Sequence, residues 1–324
     1  MIEALGQQLL QGAMTAGSSD LYILPREDAY VVYEHGIDGL MMIQSLPKET
    51  GVQLIAHFKY RADMAITETR RPQLGAMKVQ LNGTEIHLRL SSVGNFLQQE
   101  SLVIRLLFPL GQQQTQFLVP EQWTTLEEWC GLRGLILFAG PTGSGKTTTI
   151  FQLARPLSQQ QSVLTIEDPV EITESSFLQL QVNNEADMSY ESLIKVALRH
   201  RPDVLIIGEI RDRQTAQAAI DAVLSGHLVF STVHALNVYG IITRLRQLGI
   251  PEAAIHQAVT GVAYQRLLPG IEMKTAALLD LKRGPVTSDW VTKTGMTPEW
   301  RQYIDDCERT GQITGTTADR FKEG

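Results

Sequence analysis

Nine consecutive residues, Gly140, Pro141, Thr142, Gly143, Ser144, Gly145, Lys146, Thr147 and Thr148, place a lysine and hydroxyls behind three glycines. Gly140 to Thr147 has the spacing GxxxxGK[ST] of a phosphate loop, between an apolar run and a helical pattern. Glycines let such a loop curl until its backbone N–H groups point inward at phosphate oxygens. The N-terminus of the following helix adds a field that favours anions. Lys146 is then expected to reach the β- and γ-phosphates, and the Thr147 hydroxyl to ligate Mg²⁺.

Three more segments carry reactive groups at the ends of apolar runs. Asp203-Val204-Leu205-Ile206-Ile207-Gly208-Glu209 ends in a carboxylate, and an acid at this place in a phosphate-loop enzyme orders Mg²⁺ or its waters. The position holds Gly-Glu instead of the usual Asp. Ile166-Glu167-Asp168-Pro169-Val170-Glu171 offers carboxylates able to orient or deprotonate an attacking water, with Asp168 suited to capping a turn. Spacing does not choose between Glu167 and Glu171. Gly226 to His234 carries a histidine at each end. His234, at the carboxyl end, is placed to sense a γ-phosphate, whereas His227 is expected to be structural or interfacial.

These groups need a scaffold that brings strand ends together. Leu135–Ala139, Val163–Ile166, Val204–Ile207 and Leu228–Ser231 read as buried strands. They alternate with helices from Lys146, near Tyr190–His200 and near Thr215–Leu224. That rhythm predicts an α/β fold with a mainly parallel sheet covered on both faces. Ligands of such sheets lie beyond the strands' carboxyl ends. Phe177–Val182 alternates as an edge strand would, and the chain from about Asn237 reads as mostly helical, with Trp290, Trp300 and Tyr303 packing the last helices. Residues 1–110 form a different pattern, a small α+β domain. Helical spacing covers residues 2–16 and Val52 to Tyr60. Strands are expected at Leu21–Leu24, Tyr30–Tyr33, Ala76–Leu81, Glu85–Leu90 and Leu102–Phe108, with Asn82-Gly83 as a type I′ hairpin turn. Polar, aperiodic residues from Gly111 mark a linker over 111–118, with the α/β domain over 119–324.

Composition narrows the classes. Of 324 residues, 43% are hydrophobic and 19% charged, a globular balance. The net charge of −7 and pI of about 5.6 count against a sequence-independent DNA binder, so no direct nucleic-acid contact is expected. Cys130 and Cys307 lie too far apart in sequence for a CxxC pair. A reducing, cytoplasmic setting is expected. Without a signal peptide or an apolar run of about 20 residues, membrane association is expected to be peripheral, on the cytoplasmic face.

The order Gly-Pro-Thr-Gly-Ser-Gly-Lys-Thr-Thr-Thr, Ile-Glu-Asp-Pro-Val-Glu, Ile-Gly-Glu-Ile-Arg-Asp, Gly-His-Leu-Val-Phe-Ser-Thr-Val-His resembles the Walker A, Asp box, Walker B and His box of the secretion ATPases of type II secretion and type IV pili. Ser19-Asp20-Leu21-Tyr22-Ile23, Pro25-Arg26-Glu27, Ile37-Asp38-Gly39 and Arg70-Arg71-Pro72-Gln73-Leu74-Gly75 are similar to that family's PAS-like domain. Val52 to Tyr60 and Glu100 to Arg105 resemble its competence, or DNA-uptake, branch. The resemblance spans about residues 15–268. It implies a PAS-like α+β domain joined to a RecA-like ATPase domain, a homo-hexameric ring, and nucleotide held between the domains beside a neighbouring subunit. It implies ATP as ligand and Mg²⁺ as cofactor, and catalytic roles for Glu209, His234, Arg89 and Arg105. Glu171 matches the family's catalytic Asp-box residue more closely than Glu167. The implied work is assembly of a pseudopilus through a polytopic membrane platform protein and, indirectly, pilin-like subunits.

Departures exist. The family's usual tetracysteine zinc site has no counterpart after Gln265-Arg266-Leu267, so no zinc is expected. No counterpart of the long N-terminal docking domain of the larger secretion ATPases is expected. Tyr33-Glu34-His35-Gly36 replaces a more basic segment, and the resemblance is not expected to extend over residues 270–324. A pilus-retraction ATPase is the near alternative, and a nucleotide-gated scaffold without productive turnover or a recombinase-like DNA motor the more distant ones.

Overall fold

The computed structural model describes residues 1–36, 39–109, 115–183, 186–272, 275–284, 286–287, 290 and 293–324. Ile37-Asp38 and the first part of the expected linker, residues 111–114, therefore lie outside the described residues. The chain divides into two compact units, Met1–Pro109 and Leu110–Gly324. Among the described residues no helix is long and apolar enough to cross a membrane.

In the first unit, helices α1 (Ile2–Ala16) and α2 (Lys48–Arg61) accompany six strands: β1 (Asp20–Pro25), β2 (Ala29–Gly36), β3 (Gly39–Pro47), β4 (Gln73–Leu81), β5 (Thr84–Gly94) and β6 (Glu100–Leu107). They form one antiparallel sheet in the order β3-β2-β1-β6-β5-β4. Alternation along β5 and β6 sends Ile86, Leu88, Leu102 and Ile104 into a core shared with Leu9, Leu54 and Phe58 of the two helices. Asn82 and Gly83 adopt positive φ of 49° and 79°, and Leu81 pairs with Thr84, as a type I′ turn requires. Strand β3 goes beyond the sequence expectation. Its Leu40-Met41-Met42-Ile43 run shows no period of two, because at the sheet edge all four are exposed.

The second unit has a seven-stranded sheet. Its strands are β7 (Gly134–Ala139), β8 (Val163–Glu167), β9 (Leu178–Gln181), β10 (Val204–Ile207), β11 (Leu228–Thr232), β12 (Val259–Leu268) and β13 (Ala276–Arg283). The order is β13-β12-β7-β11-β10-β8-β9, with only β13 antiparallel to its neighbour. Helices α3 (Pro120–Cys130) and α4 (Lys146–Leu157) cover one face. Helices α5 (Tyr190–His200), α6 (Arg213–Leu224), α7 (Val238–Gln247) and α8 (Glu252–Ala258) cover the other. Strand β7 shows why the apolar run is unbroken: Ile136 and Phe138 pack against α3 and α4, while Leu135 and Leu137 join the opposite core.

The region expected to be mostly helical contains β12 and β13. Its helices include α7, α8, α9 (Pro298–Arg309) and α10 (Gly315–Phe321). Helix α9 buries Trp300, whose indole N–H donates to Phe321 O at 2.9 Å, so α10 is tied over it. Strand formation in β12 is enforced by packing. A side chain at Gly261 would lie 2.5 Å from the Trp129 ring, so this strand passes directly beneath α3. Within the expected linker, Gln116–Leu118 is held against β13: Leu118 N donates to Ala277 O at 2.9 Å and Ala277 N to Gln116 O at 2.6 Å.

Candidate active site

Strands β7, β11, β10 and β8 are parallel neighbours, so their carboxyl ends share one edge. That edge carries, in the same order, the loop from Gly140, His234, Glu209 and the Glu167–Glu171 segment. Four motifs spread over about a hundred residues thus meet at one rim.

The loop's shape is set by three left-handed glycines, Gly140, Gly143 and Gly145, with φ of 143°, 77° and 81°. Gly145 caps the start of α4. Strand β12 grips the loop from beside it. A side chain at Gly140 would lie 2.3 Å from Gln265 O, and Gln265 Nε2 donates to Ser144 O at 2.7 Å. Lys146 Nζ donates to Gly140 O at 3.0 Å and Pro141 O at 2.9 Å, keeping its ammonium over the loop. Burial holds the Lys146 pKa below its usual value, and the charges of Glu171 and Glu209 oppose that shift. Both carboxylates are therefore within electrostatic reach of the lysine.

Glu209 is held on two sides. Its Oε2 accepts from Arg211 Nε at 2.7 Å, and Arg211 also approaches Asp168 Oδ2 at 3.6 Å, so one guanidinium bridges β10 to the turn after β8. His234 Nε2 comes within 2.8 Å of Glu209 Oε1, an ion pair when the imidazole is protonated, yet without the alignment of a hydrogen bond. That buried oxygen keeps its acceptor capacity. The β10 end is stapled to β11 by Ser231 Oγ and Thr232 Oγ1, which donate to Ile207 O and Gly208 O, each at 2.7 Å. His227, at the opposite strand end, has Nδ1 2.8 Å from Ala222 O.

The two candidate Asp-box glutamates occupy different environments. Glu167 is 3% exposed, and its Oε1 accepts from Thr165 Oγ1 at 2.6 Å and Gln179 Nε2 at 3.0 Å. Burial raises its pKa, against the pull of those hydrogen bonds. Glu171 is exposed at the rim.

Arg89 and Arg105 belong to the first unit. They are direct partners across β5 and β6, and Asp20 of β1 and Ala76 of β4 extend the same row. Both side chains leave the sheet on the face opposite its apolar core. Arg105 Nε donates to Asp20 Oδ1 at 2.8 Å. Sequence reasoning missed Gln265, which lies in the stretch read as helix, and Gln179. It also gave no role to Arg211, although the Glu-Ile-Arg-Asp string was a visible signal. Asp212, next in that string, caps α6 by accepting from Thr215 N at 2.8 Å.

No cluster of three metal-ligating His, Cys, Asp or Glu side chains exists among the described residues. The donor set nevertheless fits Mg²⁺, which takes one or two protein oxygens and otherwise waters and phosphates. Thr147 at the start of α4 and the hydrogen-bond-free Glu209 Oε1 are such oxygens.

A family model described as "Type II/IV secretion system protein" matches residues 1–311, so the likeness runs past the expected limit near residue 268 and takes in most of the last stretch. The competence protein ComGA of Streptococcus pneumoniae is 39% identical over 322 residues, covering 99% of each chain. The type IV pilus assembly ATPase TfpB of Acinetobacter baylyi is 38% identical over 80% of this chain and 45% of its own. The structure of the Legionella pneumophila ATPase DotB superposes with a TM-score of 0.78 at 19% identity, covering 98% of this chain and 95% of that one.

Proposed function

The chain belongs to the type II/IV secretion system protein family, and from that membership we propose that it is an ATP-hydrolysing motor that assembles a pilus-like pseudopilus for DNA uptake. The observation that carries the chemistry is the shared rim of β7, β11, β10 and β8, where a phosphate loop meets Glu209, His234 and Glu171. Competence rather than another pilus system is supported by 39% identity to a competence protein along 99% of both chains.

In this reading the loop from Gly140 to Thr148 receives the triphosphate on its backbone N–H groups. Lys146 exchanges the carbonyls of Gly140 and Pro141 for β- and γ-phosphate oxygens, which are stronger partners for an ammonium. Thr147 and Glu209 would hold Mg²⁺, directly or through water, and the ion would supply positive charge against the phosphate oxygens. Glu171 orients the attacking water and accepts its proton. The water oxygen bonds to the γ-phosphorus as the bond to the β–γ bridging oxygen breaks, giving ADP and phosphate. His234 reports the γ-phosphate to Glu209 through their 2.8 Å contact. Arg89 and Arg105 supply positive charge to the phosphoryl oxygens, a role suited to two guanidiniums in one row of a sheet. The working form is a homo-hexamer attached peripherally to the cytoplasmic face of the membrane through a polytopic platform protein. Turnover there drives the addition of pilin-like subunits.

The test is Mg²⁺-dependent ATP hydrolysis by the purified chain, together with transformation of cells carrying each variant. Lys146→Ala is expected to lose nucleotide binding. Glu209→Gln is expected to bind ATP and turn it over at least a hundredfold more slowly, and both should abolish DNA uptake. Wild-type hydrolysis by Lys146→Ala would overturn the mechanism.

A further inference from the structure

The segment between β8 and β9 carries Glu171, yet no helix or strand holds it over residues 168–177. Three hydrogen bonds in and beside it meet on one side chain from the edge strand. Gln179 Nε2 donates to Glu167 Oε1 at 3.0 Å and to Ile172 O at 2.9 Å, while its Oε1 accepts from Glu174 N at 2.8 Å. These three partners lie on both sides of Glu171 in the chain. The backbone N–H of Glu171 also favours the charged form of the Glu167 carboxylate. A second glutamine two residues on, Gln181, accepts from Val170 N at 3.4 Å. At the far end, buried Glu174 pairs with Arg155 of α4 at 3.3 Å, which ties the same segment to the helix that follows the phosphate loop.

We infer that Gln179 is a positioning residue for hydrolysis: it fixes the Glu167–Glu174 backbone so that Glu171 is presented at the rim. This rests on the reading of Glu171 as the group that handles the attacking water. It also gives β9 a purpose. An exposed four-residue edge strand buries little, but period-two alternation turns Gln179 toward the loop while Leu178 points to solvent. A primary carboxamide suits the post because it offers two donors and an acceptor at once. It serves Glu167 and Ile172 with N–H groups and Glu174 with its oxygen. Glu167, buried and bound to Thr165, is then the anchor of the loop and not the base.

The consequence is a separation of turnover from binding. Residues of the phosphate loop make none of these hydrogen bonds, so ATP affinity should survive loss of Gln179 while the chemical step should not. The experiment compares Gln179→Leu, Gln179→Glu and Glu171→Gln in the full-length protein. Hydrolysis gives kcat and KM, and a fluorescent ATP analogue gives Kd. Gln179→Glu keeps the acceptor for Glu174 N and the shape, and sets a carboxylate against Glu167 and the Ile172 carbonyl where two donors stood, and a melting curve on each variant guards against loss of the fold. Both Gln179 variants are expected to lower kcat at least tenfold with KM and Kd within about twofold of wild type. Wild-type kcat in Gln179→Glu beside a slow Glu171→Gln would overturn the positioning role and leave the Glu171 reading intact. A Gln179→Glu whose loss lies in Kd, with kcat preserved, would overturn it as well. Wild-type turnover by Glu171→Gln would instead remove the base reading on which the inference rests.

Discussion

Arg211 shows how a residue with no chemistry of its own can govern a site. Its guanidinium is the common partner of Glu209, at 2.7 Å, and Asp168, at 3.6 Å. Those carboxylates would otherwise repel each other across adjacent strand ends, and Glu209 would keep only its contact with His234. Arg211→Ala is therefore expected to lower kcat about tenfold, equal to about 1.4 kcal/mol of transition-state stabilisation, with a smaller change in KM. Arg211→Lys should recover little, because a point charge on a flexible stem does not bridge two carboxylates as a planar fork does. Steady-state ATPase kinetics on both variants checks this. The bridge was not legible in the sequence. Glu209 and Asp168 are forty-one residues apart, and only the parallel pairing of β8 with β10 brings them together.

At the scale of elements, the alternation of buried strands with helices was legible because β7, β8, β10 and β11 are buried on both faces and read as unbroken apolar runs. Strands β12 and β13 were not legible. Val259–Leu268 mixes a glycine, a glutamine and an arginine among its apolar residues, and it is held as a strand where Trp129 packs on Gly261 and the Gln265 side chain bonds the phosphate loop. Strand β3 was hidden for the opposite reason, since its apolar residues face solvent at an edge. The grip of β12 on the loop leads to a prediction: Gly140→Ala must relieve both a φ of 143° and a 2.3 Å approach to Gln265 O. A loss of about 3 kcal/mol or more is expected in urea unfolding, with nucleotide binding lost at the same time. Glu167 gives a second one. Its pKa is raised in the fold, chiefly by burial, so its contribution to stability is full below the ordinary glutamate value and is lost as pH rises through the raised one. Glu167→Gln removes that dependence. The melting temperature of the variant relative to wild type should therefore climb as pH is raised across this window.

For the whole molecule, the question is what a motor for DNA uptake does with DNA. The chain carries 28 Lys and Arg against 35 Asp and Glu, a net charge of −7. Binding to duplex phosphates releases counterions only where cations cluster, and an acidic chain assembled into a ring multiplies its repulsion from DNA. Exposed arginines in the described structure are largely engaged with acids, as Arg105 is with Asp20, Arg155 with Glu174, Arg211 with Glu209 and Arg246 with Glu252. If the chain works on pilin-like subunits through a platform protein, DNA should be invisible to it. Duplex or single-stranded DNA is then expected to leave the ATPase rate unchanged within twofold at low salt, and gel-shift titration should give no complex in the micromolar range. Light scattering in the presence of ATP should report a particle about six times the 36.0 kDa chain. A severalfold stimulation by DNA that fades with added salt would mark a nucleic-acid motor instead, and would separate this chain from a machine that pulls on DNA only through the fibre it builds.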